Sequence, residues 1–395
     1  MKKSLTLIVL TITFSMPMLK AGSQSDTLVY LITCAPGEEA YSIYGHSALR
    51  VVIQSSGYDM VYNWGVFDFS TPHFVWKFAK GRLNYMLGVY PWDLFIREYF
   101  RDKRTVWSQK VNLEDDETEK LMMLLQENLK PENIFYRYDF FYDNCSTRIR
   151  DLFENIFGKT LIYPPDERRN MPSFRGKITE YQKYYPWLKA GVDLLLGLPA
   201  DKKASFHDRM FLPEELMSNL SQAVINRNRK MVPLLQTSQT LFEFEPAAEK
   251  PPFYISPMLI FSLLFTLILF LSVQFRESPL INYIDIFLFA LFSVLSILLF
   301  FFSFITDHQQ TRMNLNIVWL NPFILFCLAS LVMNRKGIIW FRTVFWLSAF
   351  FFLVAIIFSS GINSAFIPVV LIIILRSGAR AGFSWNPFGI TGTAA

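Results

Sequence analysis

The chain has 395 residues, of which 52% are hydrophobic and 18% charged, with a formal net charge of +5. This is too apolar for a wholly soluble protein, and no basic stretch with interleaved aromatics supports nucleic-acid binding. Four His and three Cys, with no CxxC or HExxH spacing, are too few and too scattered for a metal cluster, and no cofactor is expected.

Met1-Lys2-Lys3 precedes an apolar stretch from Leu5 to about Leu19 and then Lys20-Ala21-Gly22-Ser23. A basic start, a short apolar run and a small-residue cleavage point make residues 1–21 a signal peptide that exports the chain after it. Residues 22–250 have the composition of a soluble exported domain. Leu28 to Thr33, His46 to Ile53 and Met60 to Phe67 read as strands. Ser55-Ser56-Gly57-Tyr58-Asp59 supplies turn chemistry between the last two, which predicts an antiparallel hairpin. Leu113 to Leu129 reads as a helix, with Asp115, Asp116 and Glu117 where the helix dipole favours anions. Cys145 to Phe157 carries apolar residues at 149, 152, 153, 156 and 157, one helical face, and Asp143-Asn144 supplies N-cap types. Residues 159 to 247 read as mainly helical.

Glu245 to Pro252 is a short Pro-containing linker. Residues 251–395 then hold apolar stretches at Phe253–Val273, Ile286–Ile305, Ile317–Met333, Ile338–Phe358 and Ser359–Leu375. The first four approach the ~20 residues needed to span a bilayer, and the fifth is marginal and carries Pro368. With the soluble domain outside, the inner loops and tail carry Arg276, Arg335, Lys336, Arg342, Arg376 and Arg380. The outer loops carry only Arg312. That is the positive-inside pattern, and it agrees with the exported start.

The chemistry centres on Cys145 in Asp143-Asn144-Cys145-Ser146-Thr147-Arg148 and His46 in Tyr44-Gly45-His46-Ser47. A thiol becomes nucleophilic as the thiolate, which a helix N-terminus and a neighbouring imidazolium both favour. A helix-borne Cys facing a strand-borne His is the papain-like arrangement, here with the His first in sequence, as in circularly permuted versions of that fold. Asn63 is the first candidate to orient the imidazole and Asp68 the second; a one-residue register slip exchanges them. The bland reading is a core Cys and a hydrogen-bonded structural His. Cys34 is a bridge partner of Cys145, a second functional group near His46 or, the favoured reading, a buried free thiol; Cys327 reads as packing. Arg148, and His308 and Asn316 in an outer loop between spans, are candidates for binding substrate.

Cys34-Ala35-Pro36-Gly37-Glu38, Tyr44-Gly45-His46-Ser47-Ala48-Leu49-Arg50-Val51, Tyr62-Asn63-Trp64-Gly65-Val66-Phe67-Asp68-Phe69 and Tyr138 to Arg148 resemble the Lnb family of bacterial membrane proteins. So do Gly191 to Gly197, Met210-Phe211-Leu212-Pro213, Thr306-Asp307-His308 and Asn314-Leu315-Asn316. The resemblance implies an α/β (α+β), circularly permuted papain-like thiol domain in the periplasm, followed by an α-helical bundle in the inner membrane. It implies lipoprotein N-acylation, with a phospholipid as acyl donor, diacylated lipoproteins as acceptors, and the family's thiol and imidazole at Cys145 and His46. Three readings compete: a papain-like peptidase or amidase acting on cell-wall peptides, an exported binding domain tethered to a membrane bundle, and a transporter.

Overall fold

The computed structural model describes residues 26–165, 171–245, 252–357 and 361–383. The expected signal peptide, nearly all of the linker and the start of the Ser359–Leu375 stretch lie outside the described residues.

A mixed sheet-and-helix domain comes first. Its strands are β1 (Thr27–Cys34), β2 (His46–Ile53), β3 (Tyr58–Val66), β4 (Asn84–Pro91), β5 (Val106–Lys110), β6 (Phe135–Arg137), β7 (Leu161–Ile162), β8 (Val224–Arg227), β9 (Lys230–Pro233) and β10 (Gln239–Phe242). Seven of them form one sheet in the order β10-β5-β1-β2-β3-β4-β6, and β7-β8-β9 form a second, small sheet. The β2–β3 hairpin is antiparallel, as its turn chemistry predicts, with Leu49 opposite Tyr62. β1 and β2 run antiparallel with Cys34 opposite His46.

Strand alternation gives the large sheet two buried faces. The helices before the linker are α1 (Phe74–Ala79), α2 (Trp92–Arg101), α3 (Asp115–Asn128), α4 (Cys145–Phe157), α5 (Phe174–Tyr181), α6 (Pro186–Leu195), α7 (Phe206–Arg209) and α8 (Pro213–Gln222). On one face Val29, Leu31, Leu49 and Val51 pack against Leu121 and Leu125 of α3, Ile149 and Phe153 of α4, and Leu216 and Leu220 of α8. On the other, Ile32, Cys34, Ala48 and Val61 pack against Phe95 and Tyr99 of α2.

Residues 159 to 247 hold the helices α5 to α8, in line with their expected mainly helical character, but also four short strands, β7 to β10, that were not expected. The β8–β9 hairpin turns at Asn228 and Arg229, with φ of 51° and 69°. Two successive left-handed residues make a tight hairpin turn, which usually advertises itself by glycine and here does not.

The described residues after the linker form a helical bundle: α9 (Pro257–Gln274), α10 (Leu280–Phe304), α11 (Phe323–Val332), α12 (Ile338–Ile357) and α13 (Ile367–Arg380). Among the described residues, four segments are long and apolar enough to cross a membrane: Pro257–Gln274, Leu280–Phe304, Leu315–Val332 and Ile338–Ile357. The fifth expected span corresponds to the 14-residue α13, with Pro368 in its first turn; at 1.5 Å per residue it is about 21 Å long, shorter than those four segments. It is fixed by charge. Asp285 of α10 is fully buried and meets two guanidinium groups of α13, Arg376 Nε at 2.6 Å and Arg380 Nε at 2.5 Å. Arg376 also donates to Ser272 Oγ of α9 at 2.9 Å. This pairing gives the buried Asp285 a structural role and leaves the transporter reading without its one candidate carboxylate.

Removing one partner from a buried ion pair leaves an uncompensated charge, at a cost of about 3–5 kcal/mol. Asp285→Ala strands two cations and is expected to lower the thermal unfolding midpoint of the detergent-solubilised protein by several degrees, measured by circular dichroism or tryptophan fluorescence.

Candidate active site

Cys145 is the first residue of α4, and the capping is local. Asn144 Oδ1 accepts from the N–H groups of Ser146 and Thr147 at 2.8 and 2.9 Å, while Thr147 Oγ1 accepts from Asn144 N at 2.7 Å. This capping box satisfies the amides of Asn144, Ser146 and Thr147 and contributes on the order of 1 kcal/mol. The amide of Asn144 is also used: its Nδ2 donates to Phe140 O and Phe211 O, both at 2.8 Å. The helix start is thereby tied to the Met210–Pro213 stretch.

His46 opens β2. Its neighbour Ser47 faces α4, with Ser47 Oγ 3.1 Å from Ser146 Oγ. Alternation turns His46 to the opposite face, where its ring stacks on Tyr99 at 6.5 Å and 13°. The sulfur and the ring therefore meet past the end of the strands. Two glycines shape that end. Gly45 has φ +80°, and a Cβ there would lie 2.8 Å from Cys34 O. Gly65 has φ +94° at a register shift between β3 and β4. A Cβ on Gly65 would sit 4.0 Å from Cys145 Cβ, so its absence keeps the approach to the thiol open.

His46 Nε2–H donates to Asn63 Oδ1 at 2.6 Å, which leaves Nδ1 for the thiol. Burial opposes ionisation of Cys145, but the charge and hydrogen bond of His46, the Ser47 N–H and the Ser146 hydroxyl outweigh it and hold the thiol below its ordinary pKa. Burial likewise opposes the imidazolium. The Cys145 charge and hydrogen bond, helped by Asn63, outweigh it and raise His46. The geometry thus favours a thiolate–imidazolium pair inside the protein. Asp68 is spent elsewhere: its carboxylate takes the N–H of Ser70 at 2.8 Å and the Ser70 hydroxyl at 2.6 Å.

Cys34, across the strand pair from His46, is a buried free thiol, as is Cys327. Burial pushes the Cys34 thiol up to about 12, so it is inert at neutral pH.

Cys145, His46 and Asn63 line one cavity of about 660 Å³, with Phe67, Tyr85 and Tyr138 on its apolar side and His308 and Gln310 contributed from beyond α10. Of the three candidates for substrate binding, the structure brings only His308 to this cavity; its Nε2–H donates to Phe78 O at 3.1 Å. Arg148 is paired with Asp143, Nη2 to Oδ2 at 2.7 Å, and lies 4.0 Å over the Tyr136 ring, so it braces the loop before α4. Asn316 is buried and its hydrogen bonds are filled by Asp193 O and Leu194 O, both at 3.1 Å, and by Trp319 Nε1 at 3.0 Å. It joins α6 to the bundle. The sequence reading missed Gly65, Tyr138 and Gln310. Tyr138 and Gly65 sit in motifs already noted, and Gln310 lies two residues from His308, whereas the Gln310 bond to Asp139 spans the two halves of the chain and left no local trace.

This electrostatic pairing predicts a reactivity pattern. At neutral pH iodoacetamide should alkylate Cys145 at least tenfold faster than Cys34 or Cys327, read by peptide mass spectrometry. His46→Ala removes the main group that lowers the Cys145 pKa, so the pH at which alkylation sets in should move upward.

Residues 16–171 match the family model of the Lnb N-terminal periplasmic domain, and residues 248–384 match that of the Lnb transmembrane domain. No curated protein and no solved structure gives a significant match. The two models lie in the order and spacing of the mixed domain and the helical bundle and together cover about three quarters of the chain, so the protein belongs to the Lnb family.

Proposed function

We propose that this protein is a lipoprotein N-acyltransferase that carries the acyl chain as a thioester on Cys145. Family membership makes it a membrane enzyme of lipoprotein maturation. The observation that carries the finer reading is the Cys145–His46–Asn63 constellation at a largely aromatic cavity, part of whose wall, His308 and Gln310, comes from the membrane region. In this reading residues 1–21 are the signal peptide, 22–250 the periplasmic catalytic domain and 251–395 an inner-membrane domain. A thiol on a helix start facing a strand-borne imidazole supports a papain-like active site with permuted order.

The thiolate of Cys145 attacks an ester carbonyl carbon of a membrane phospholipid. The amide of Cys145 is assigned to the resulting oxyanion, because Asn144 already occupies those of Ser146 and Thr147. As the C–O bond breaks, His46 gives its Nδ1 proton to the departing lysophospholipid alcohol, which leaves the acyl thioester and a neutral imidazole. The free α-amino group of a diacylglyceryl-cysteine then attacks the thioester carbonyl. His46 takes the amine proton, an amide forms, and the C–S bond breaks to restore the thiolate–imidazolium pair. Asn63 touches neither substrate. It holds the ring through Nε2–H so that Nδ1 faces the sulfur, a positioning role. A peptidase acting on soluble peptides has no use for a cavity wall built from the membrane region.

Cys145→Ala and His46→Ala are each expected to abolish the triacylated product, read by mass spectrometry of the lipoprotein N-terminal peptide, and Cys145→Ala to abolish the thioester trapped from phospholipid. Triacylation surviving Cys145→Ala would remove the nucleophile from this scheme. The pH profile of transfer should be bell-shaped. Its acid limb follows deprotonation of Cys145, whose pKa is lowered, and its alkaline limb follows deprotonation of His46, whose pKa is raised. Asn63→Ala removes a bond that raises His46, so the alkaline limb should shift to lower pH, while a purely structural loss would lower the whole curve without moving it.

A further inference from the structure

The connection between β3 and β4 is built the wrong way out for water. α1 buries none of its six residues. Val75 is 76% exposed, Trp76 55% and Phe78 52%, with Phe69 just ahead at 69%. A contiguous apolar patch of this kind marks a contact surface, and three observations say what covers it.

The first is depth. The Trp76 ring stacks on Phe301 of α10 at 5.4 Å and 26°. α10 has 25 residues, about 37 Å, so it overhangs a ~30 Å hydrocarbon core by only a few ångströms at each end. Phe301 lies three residues before the end of α10 that faces the mixed domain, so Trp76 meets it where acyl chains give way to headgroups. Trp187 of the mixed domain stands in the same relation to the start of α9: its Nε1–H donates to Ile255 O at 2.7 Å and its ring packs on Phe261. Tryptophans gather at that level of a bilayer.

The second is rigidity. Asp307 N–H donates to Lys80 O at 2.9 Å, His308 donates to Phe78 O, and Arg82 pairs with Asp307 at 2.7 Å. The segment is thereby pinned to the residues that immediately follow α10. Lys80 lies 4.6 Å over the Trp76 ring, a cation beside the level of the lipid phosphates.

The third is continuity with the candidate active site. Phe69 contacts Phe67 at 4.9 Å, Phe67 contacts Tyr85 at 5.2 Å, and Tyr85 stacks on Tyr138 at 4.5 Å. Phe67, Tyr85 and Tyr138 line the cavity that holds Cys145. One aromatic wall thus runs from the exposed patch to the thiol.

We propose that the Phe69–Phe78 segment is immersed in the outer-leaflet side of the bilayer beside α10 and forms a lateral portal, through which a phospholipid acyl chain slides along the aromatic wall to Cys145 without crossing water. The occupant is the acyl region of the membrane that α10 crosses. The cargo part rests on the acyl-transfer reading above; the immersion does not.

The test uses an environment-sensitive nitrobenzoxadiazole label on Val75→Cys, with Ser56→Cys at the exposed tip of the β2–β3 turn as control. Both are made in the full chain carrying Cys145→Ala, so that the remaining cysteines are buried, and are reconstituted into phosphatidylcholine vesicles. The label at 75 is expected to be blue-shifted and to be quenched several-fold more strongly than that at 56 when the vesicles contain brominated phosphatidylcholine. Equal quenching at the two positions overturns the proposal. In the otherwise native chain, Val75→Asp should cut acyl transfer from vesicle phospholipid at least tenfold, and unchanged transfer overturns the portal. Failure of the acyl-transfer reading looks different: no acyl group on Cys145 of the native chain while the label at 75 is still quenched, which supports the immersion and removes the cargo.

Discussion

The site depends on one charge pair kept away from water. A buried thiolate is unfavourable and so is a buried imidazolium; each becomes stable because the other lies against it and because hydrogen bonds complete the shell. The Ser47 N–H and the Ser146 hydroxyl serve the sulfur, and the Asn63 amide serves the ring. Cys34, equally buried and a strand away, has the charge of Arg104 and a hydrogen bond from Tyr99, but burial outweighs both and it stays a thiol. The comparison isolates what holds the Cys145 thiol below its ordinary pKa: placement beside a ring and its hydrogen-bond partners, rather than burial or exposure.

That pair dictates much of the surrounding architecture. α4 packs on one face of the sheet and His46 belongs to the other, so the two can meet only where the strands end. The end must then be free of side chains, and glycines at 45 and 65 keep it so. The capping by Asn144 fixes where α4 begins, and through Phe140 and Phe211 it fixes the start of the helix against the rest of the domain. A shift of a turn in either element would leave the charges unpaired.

The joint between the mixed domain and the bundle is polar at its centre and apolar at its edge. Arg82 with Asp307, His308 with Phe78 and Gln310 with Asp139 hold the loop after α10 against the domain, while Trp76 and Trp187 continue outward onto membrane helices. The buried Asp285–Arg376–Arg380 cluster at the far end of α10 holds α13 in place, so the same helix is anchored by charge at one end and by the mixed domain at the other.

Local rules made part of this legible in the amino-acid sequence. Capping is a matter of three adjacent residues, so Asn144 announced α4 and put Cys145 in its first turn. The turn residues 55–59 announced the β2–β3 hairpin, and the apolar runs announced five spans, four of which are long and apolar enough to cross a membrane by themselves. Other features depend on contacts between residues far apart in the chain. Asn63 rather than Asp68 meets His46, because β3 ends at Val66 and Asp68 turns back onto Ser70 in the loop beyond it. The Asn228-Arg229 turn hid a hairpin within a stretch that reads as helix. Arg148 and Asn316 read as binding residues until their partners, Asp143 and the carbonyls of Asp193 and Leu194, were seen to fill them. The sequence by itself determined which atoms are candidates for chemistry and that a membrane domain follows them, because helix starts and apolar lengths are set by near neighbours. Only the tertiary structure decided that a thiol and an imidazole on opposite faces of a sheet touch, because that contact exists solely where packing ends the strands.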